Sequence, residues 1–209
     1  MEDKIQKNER YIYQTTKKII TKLMGNQDSS STKAILANLR NSIGKDFGGS
    51  IAIWPIMLEY MPDEFIGKSV ELSFGEKAVL NTMQLYALYK QGNRELKENN
   101  SENGNIGVTF SRLRVRYKEE SKTPLDRRFN TMITATTYDE LLYHLRQMIG
   151  ILKSKSKGDI YMDFPKLSED LYWFMRGKEE SLRISWSREY YRNRNENAEH
   201  RKGDNDEKQ

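Results

Sequence analysis

The chain has 209 residues, 36% hydrophobic and 31% charged, with a net charge of +5 at pH 7 and a pI near 9.2. It has no cysteine, which excludes disulfides, thiolate metal sites and a cysteine nucleophile. The charged opening MEDKIQKNER and the lack of any long apolar run predict a soluble, cytoplasmic protein without signal peptide or membrane span.

The pattern along the chain predicts helices. Ile5, Ile12, Ile19 and Leu23 give helical spacing over Lys4–Met24, and Gly25-Asn26 stops it. Ser30 or Ser31 is placed to cap a second helix, with Ile35, Leu36, Leu39 and Ile43 as its buried stripe and Arg40 at the flank. Gly44 suits its C-terminal stop, and a glycine-rich turn over Asp46–Ser50 follows. Trp54-Pro55 opens a short helix, since proline at the first helical position forfeits no hydrogen bond. Pro62–Leu72 reads as a loop or broken turn. Ser73 and Glu76 have capping-box spacing and open a helix over Phe74–Gln91, apolar on more than one side.

Gly92–Gly104 is polar and Asn-rich and reads as a mobile loop. Ile106–Lys118 then places Ile106, Phe110, Leu113 and Tyr117 on one helical face, with Arg112, Arg114 and Arg116 fanned around the others. Val108 and Val115 fall opposite that stripe, as exposed valines. The centre of the second half is Leu125–Leu152, two amphipathic helices joined by a Thr-rich turn. Pro124 is placed to open the first and the capping-box spacing of Thr137 and Glu140 the second. Arg127, Arg128 and Arg146 project beside or opposite the apolar faces. Lys153–Gly158 reads as a flexible basic connection, Phe164–Met175 as a helix, and Glu180–Arg194 as the last one. There Leu182, Trp186 and Tyr190 face inward and Arg188 and Arg192 outward. The expected fold is all-α in two small helical bundles: an N-terminal half 1–92, a flexible loop 93–104, a C-terminal bundle 105–194 and a disordered tail 195–209.

Catalytic signatures are weak. His144 and His200 are the two histidines, and neither has a metal-ligand partner one helical turn on. Gly67-Lys68-Ser69 mimics the end of a phosphate-binding loop, but Pro62 stands where the pattern needs a glycine and has no N–H to offer a phosphate. Asp139-Glu140 and Glu119-Glu120 are adjacent pairs that diverge on a helix. Asn99-Asn100-Ser101 fits a glycosylation acceptor with nothing routing the chain to secretion. The reading is a protein with no enzymatic activity, no cofactor and no metal. The arginines carry the stronger signal, because guanidinium forks bond phosphate and stay charged when partly desolvated. From Ile106 to Arg128 there are seven basic residues against three acidic.

The run TPLDRRFNTMITATTYDELLYHLRQMIGIL, followed by DFPKLSEDLYWF and ISWSREYYR, resembles the small subunit of the type I-E CRISPR surveillance complex Cascade, the CasB family. AILANLR, Trp54-Pro55 and VLNTMQLYALYKQG resemble its N-terminal half, so the resemblance covers most of Ile35–Arg192 and leaves out the first helix and the tail. It implies an all-helical, non-catalytic subunit that assembles with other Cascade subunits and with a second copy of itself. The partners it implies are the crRNA, the target strand and the displaced DNA strand, in R-loop stabilisation for antiviral defence. By position it implies contacts from Arg40, Arg127, Arg128 and Arg146, with Arg112 and Arg114. Arg116, Arg188 and Arg192 complete the nucleic-acid-binding set read from the residues. A basic residue is common in the family near Val108, where this chain is apolar. Tyr190 or Tyr191 offers a ring to an unpaired base, with core packing the main job of Tyr190. A stand-alone helical DNA- or RNA-binding regulator and a module for acidic proteins are the alternatives.

Overall fold

Local signals set most helix ends. Ser29, extended at ψ 144°, caps the second helix by accepting the Thr32 amide at 3.1 Å. The cap falls just before the expected Ser30 or Ser31, which are already in the helix and so are themselves backbone donors of the first turn. Ser73 and Glu76 form the full reciprocal box, with the Glu76 amide donating to Ser73 Oγ at 3.0 Å and the Ser73 amide to Glu76 Oε2 at 2.7 Å. Thr137 and Glu140 form only half of one. The Glu140 amide donates to Thr137 Oγ1 at 3.2 Å, but the Glu140 carboxylate accepts from the Thr136 amide at 2.8 Å, one residue earlier.

The computed structural model describes residues 2–45, 51–92, 104–156 and 158–192. Its helices are α1 (Glu2–Gly25), α2 (Ser30–Asn41), α3 (Trp54–Tyr60), α4 (Phe74–Lys90), α5 (Ile106–Val115), α6 (Glu119–Ile133), α7 (Tyr138–Ser156), α8 (Phe164–Met175) and α9 (Glu179–Tyr191). No strand occurs among the described residues, and the fold is all-α. Within Pro62–Leu72, a single 3-10 turn forms at Asp63–Phe65. The turn 46–50, residues 93–103 of the expected loop, and everything from 193, including His200, lie outside the described residues.

Three expectations are corrected. Pro124 lies inside α6, which begins at Glu119. Pro124 has no N–H to offer the Glu120 carbonyl, so one backbone bond is missing early in α6. The stretch from Lys153 to Ser156 continues α7 and is not a flexible connection; the chain turns away at Gly158, whose φ is +91°. Val108 is buried, at 8% exposure, whereas Val115 is 67% exposed as expected. α9 and α7 both pack on α5, and its buried surface reaches Val108 in the first turn while Val115, two turns on, stays in solvent.

α4 lies among α1, α2, α7 and α8, which is why its apolar residues run almost all round it. α8 packs on both α1 and α4, with Thr16 Oγ1 donating to Ser168 Oγ at 2.8 Å. α6 pairs with α7, and α5 with α9. One continuous apolar cluster runs from Ile12 through Met83 and Phe129 to Trp186. Fully buried there, Trp186 Nε1 donates to Asp170 Oδ2 at 2.8 Å. Burial pushes the Asp170 carboxyl up to about 6, against the pull of Lys166 at 3.2 Å.

Candidate nucleic-acid interface

The α6–α7 hairpin buries Phe129, Met132, Leu141, Leu145, Met148, Ile149 and Leu152. Once those positions are fixed, the helical period leaves Arg127, Arg128 and Arg146 in solvent. Arg127 and Arg128 open onto a groove of about 290 Å³ between the two helices, lined also by Thr131, Tyr143, His144 and Gln147. Arg146 opens onto a second cleft, of about 620 Å³, between the end of α2, α4 and α7. Lys45 and Lys77 share that cleft, whose walls include Leu80, Leu85 and Leu142. None of these three arginines meets a carboxylate within ion-pair distance among the described residues.

Arg40 is half-buried. It lies near Lys153, whose ammonium is lowered first by burial and then by the Arg40 charge. Lys153 also donates to Gln91 Oε1 at 2.9 Å. Lys45, Lys77 and Lys153 stand outside the expected contact set. Lys153 follows Arg146 by seven residues on one face of α7, a spacing that points to it; Lys45 and Lys77 carry no such signal.

The arginines of α5 behave differently. Arg114 forks onto Asp126 of α6, Nε to Oδ1 at 2.7 Å and Nη2 to Oδ2 at 3.1 Å. Tyr190 donates its hydroxyl to the same Oδ1 at 2.7 Å, and the guanidinium lies 5.8 Å from the rings of both Tyr190 and Tyr191. Burial would raise the Asp126 carboxyl, but the bonds from Arg114 and Tyr190 outweigh it and hold it below the usual carboxylate range. The role of Asp126 is not visible in the sequence, because its partners come from α5 and α9. Tyr190 is core: its ring stacks on Phe129 with centroids 3.7 Å apart. Tyr191 is 43% exposed, with its hydroxyl donating to Asn130 Oδ1 at 2.8 Å. Arg116 is exposed and 3.9 Å from Asp159; Arg192 is exposed and 3.6 Å from Glu189. Arg112 is half-buried and Arg188 exposed, and neither lines either cleft.

The structure thus gathers Arg127 with Arg128, Arg146 with Lys45 and Lys77, and Arg40 with Lys153. Arg114 stands in a three-helix junction. His144 is half-buried, 3.9 Å from Glu140. No group of three or more His, Asp or Glu side chains placed to hold a metal occurs among the described residues, and no helix there is long and apolar enough to cross a membrane.

Fold and site together define an all-α protein that carries unpaired cations on grooves between packed helices. A family model for the CRISPR-associated protein Cse2 matches residues 35–191, and the chain belongs to that family. The solved structure of CasB from Thermobifida fusca is 23% identical, covers 88% of this chain and 97% of its own, and superposes with a TM-score of 0.64, which shows a shared fold. No curated protein matches the chain. Family membership supports a place as a Cascade subunit in CRISPR defence. The matched span agrees with the resemblance read from Ile35–Arg192, and all of α1 precedes it.

Proposed function

We propose that the chain is a non-catalytic small subunit of a type I-E Cascade that holds nucleic-acid backbone and stabilises the R-loop. The observation that carries this reading is the set of exposed cations on the α6–α7 hairpin, Arg127, Arg128 and Arg146, with no carboxylate partner among the described residues. They project from helices whose other faces are locked in the core, so their heads reach outward from a fixed base. Guide pairing reads the sequence, so an accessory subunit needs only to grip backbone. R-loop formation exchanges one duplex for another of similar stability, and a few added phosphate contacts tip it toward the open state. The partners are the crRNA, the target and displaced strands, the other Cascade subunits and a second copy of the chain. Arg40, with Lys153 beside it, is a further basic pair; Arg112, Arg116, Arg188 and Arg192 line neither cleft.

The test is R-loop lifetime under fixed negative supercoiling, on a reconstituted complex with guide RNA. The double variant Arg127→Ala/Arg128→Ala shortens the lifetime and lowers the salt slope of binding by about 1.4 to 1.8, the share of two phosphates. The thermal midpoint of the subunit stays close to wild type. Unchanged lifetimes would refute the assignment. So would failure of the subunit to co-purify with the guide-bearing complex.

A further inference from the structure

Tyr143 belongs to both clefts. It lines the α6–α7 groove together with Arg127 and Arg128, and the α2–α4–α7 cleft together with Arg146 and Lys45. Its side chain is among the large apolar groups left in solvent, at 61% exposure. The ring stands edge-on to His144, centroids 5.2 Å apart at 75°, and its hydroxyl has no hydrogen-bond partner among the described residues. Along this ridge the order of groups is cation, aromatic ring, cation.

That order matches the chemistry of an unpaired strand, in which each base presents a π face between two phosphates. A duplex hides those faces in its stack and offers phosphates alone. We infer that Tyr143 is the stacking platform for an unpaired base, with the flanking phosphates held by Arg127 and Arg128 on one side and by Arg146 and Lys45 on the other. The inference rests on the nucleic-acid reading above and adds a base contact to its phosphate contacts: Tyr143 takes an unpaired base without regard to its identity, because every base has a π face. Asp139 lies one helical turn before Tyr143 and Arg146 nearly one turn after it, so the acid closes the path at the N-terminal end of α7. The neighbouring Glu140 carboxylate already accepts from the Thr136 amide and hydroxyl, at 2.8 and 3.2 Å.

The experiment is fluorescence anisotropy of the full chain with a labelled oligothymidine, a duplex of equal length, and an abasic spacer oligomer that keeps the phosphates but has no bases. Tyr143→Ala weakens oligothymidine binding by roughly five- to a hundredfold. It leaves duplex affinity, spacer affinity and the salt slope where they were, since no charge is lost. Tyr143→Phe retains the oligothymidine affinity, and circular dichroism shows both variants folded. Equal losses on all three ligands, or no loss on oligothymidine, would overturn the stacking role. If the wild-type chain binds none of the three in a salt-dependent way, the backbone-holding reading falls and this inference with it. If wild type binds all three and Tyr143→Ala matches it, only the stacking inference falls.

Discussion

Replacing Asp126 with alanine tests how α5, α6 and α9 are held together. The carboxylate takes two bonds from Arg114 and one from Tyr190, all between 2.7 and 3.1 Å, and the two charged side chains are about three-quarters buried, at 25% and 22% exposure. Loss of a hydrogen bond to a charged group costs roughly 1.5 to 3 kcal/mol, and a buried ion left unpaired costs about 3 to 5 kcal/mol. A pair with this much residual exposure relaxes toward water, so the expected cost of Asp126→Ala is about 2 to 3 kcal/mol. For a chain of this size that lowers the thermal midpoint by about 4 to 12 °C, read by calorimetry or circular dichroism. Asp126→Asn keeps the shape and removes the charge, and its pH dependence separates charge from packing. Because the folded carboxyl is held below its ordinary value, its stabilisation is present above about pH 4 and is lost as pH falls through the folded value. The stability gap between wild type and Asp126→Asn is therefore full at neutral pH and closes in acid. A gap absent at pH 7, or one unchanged down to pH 3, would refute the argument.

Gly107→Ala should destabilise by at least about 2 kcal/mol, since the new Cβ runs into the carbonyl oxygen of Trp186 and pushes α5 off α9; a thermal midpoint equal to wild type would show that the two helices can part. Trp186→Phe removes the indole donor from Asp170, which is 1% exposed, and should cost about 1 to 3 kcal/mol at pH 7. The Asp170 carboxyl is pushed up to about 6, so its protonated form stabilises fully below about pH 4 and that share is lost as pH rises through 6. The cost of Trp186→Phe is accordingly smaller at pH 4 than at pH 7, measured by urea denaturation at both. Arg114→Ala should lower the subunit's thermal midpoint, in contrast to Arg127→Ala/Arg128→Ala; equal midpoints for the two variants would place Arg114 outside the junction.

The helices are legible along the chain, because apolar spacing, capping serines and stop glycines are local. The register of Val79, Leu80, Met83 and Ala87 along α4, and the box of Ser73 with Glu76, need no knowledge of neighbours. The order of the RRF, LR and YYR segments carried the family, for the same reason. Which cations remain available depends on packing. Arg114 and Arg127 look alike in a helical wheel, yet Arg114 meets Asp126 from another helix while Arg127 opens onto a groove. The pairing of Asp170 with Trp186 likewise depends on where α9 lies. So does the fate of Tyr190, and the gathering of Lys45 and Lys77 around Arg146 depends on how α2 and α4 meet α7. A helix repeats every few residues and shows its own faces in its sequence. What covers each face is set by residues distant in the chain, and only packing brings them together.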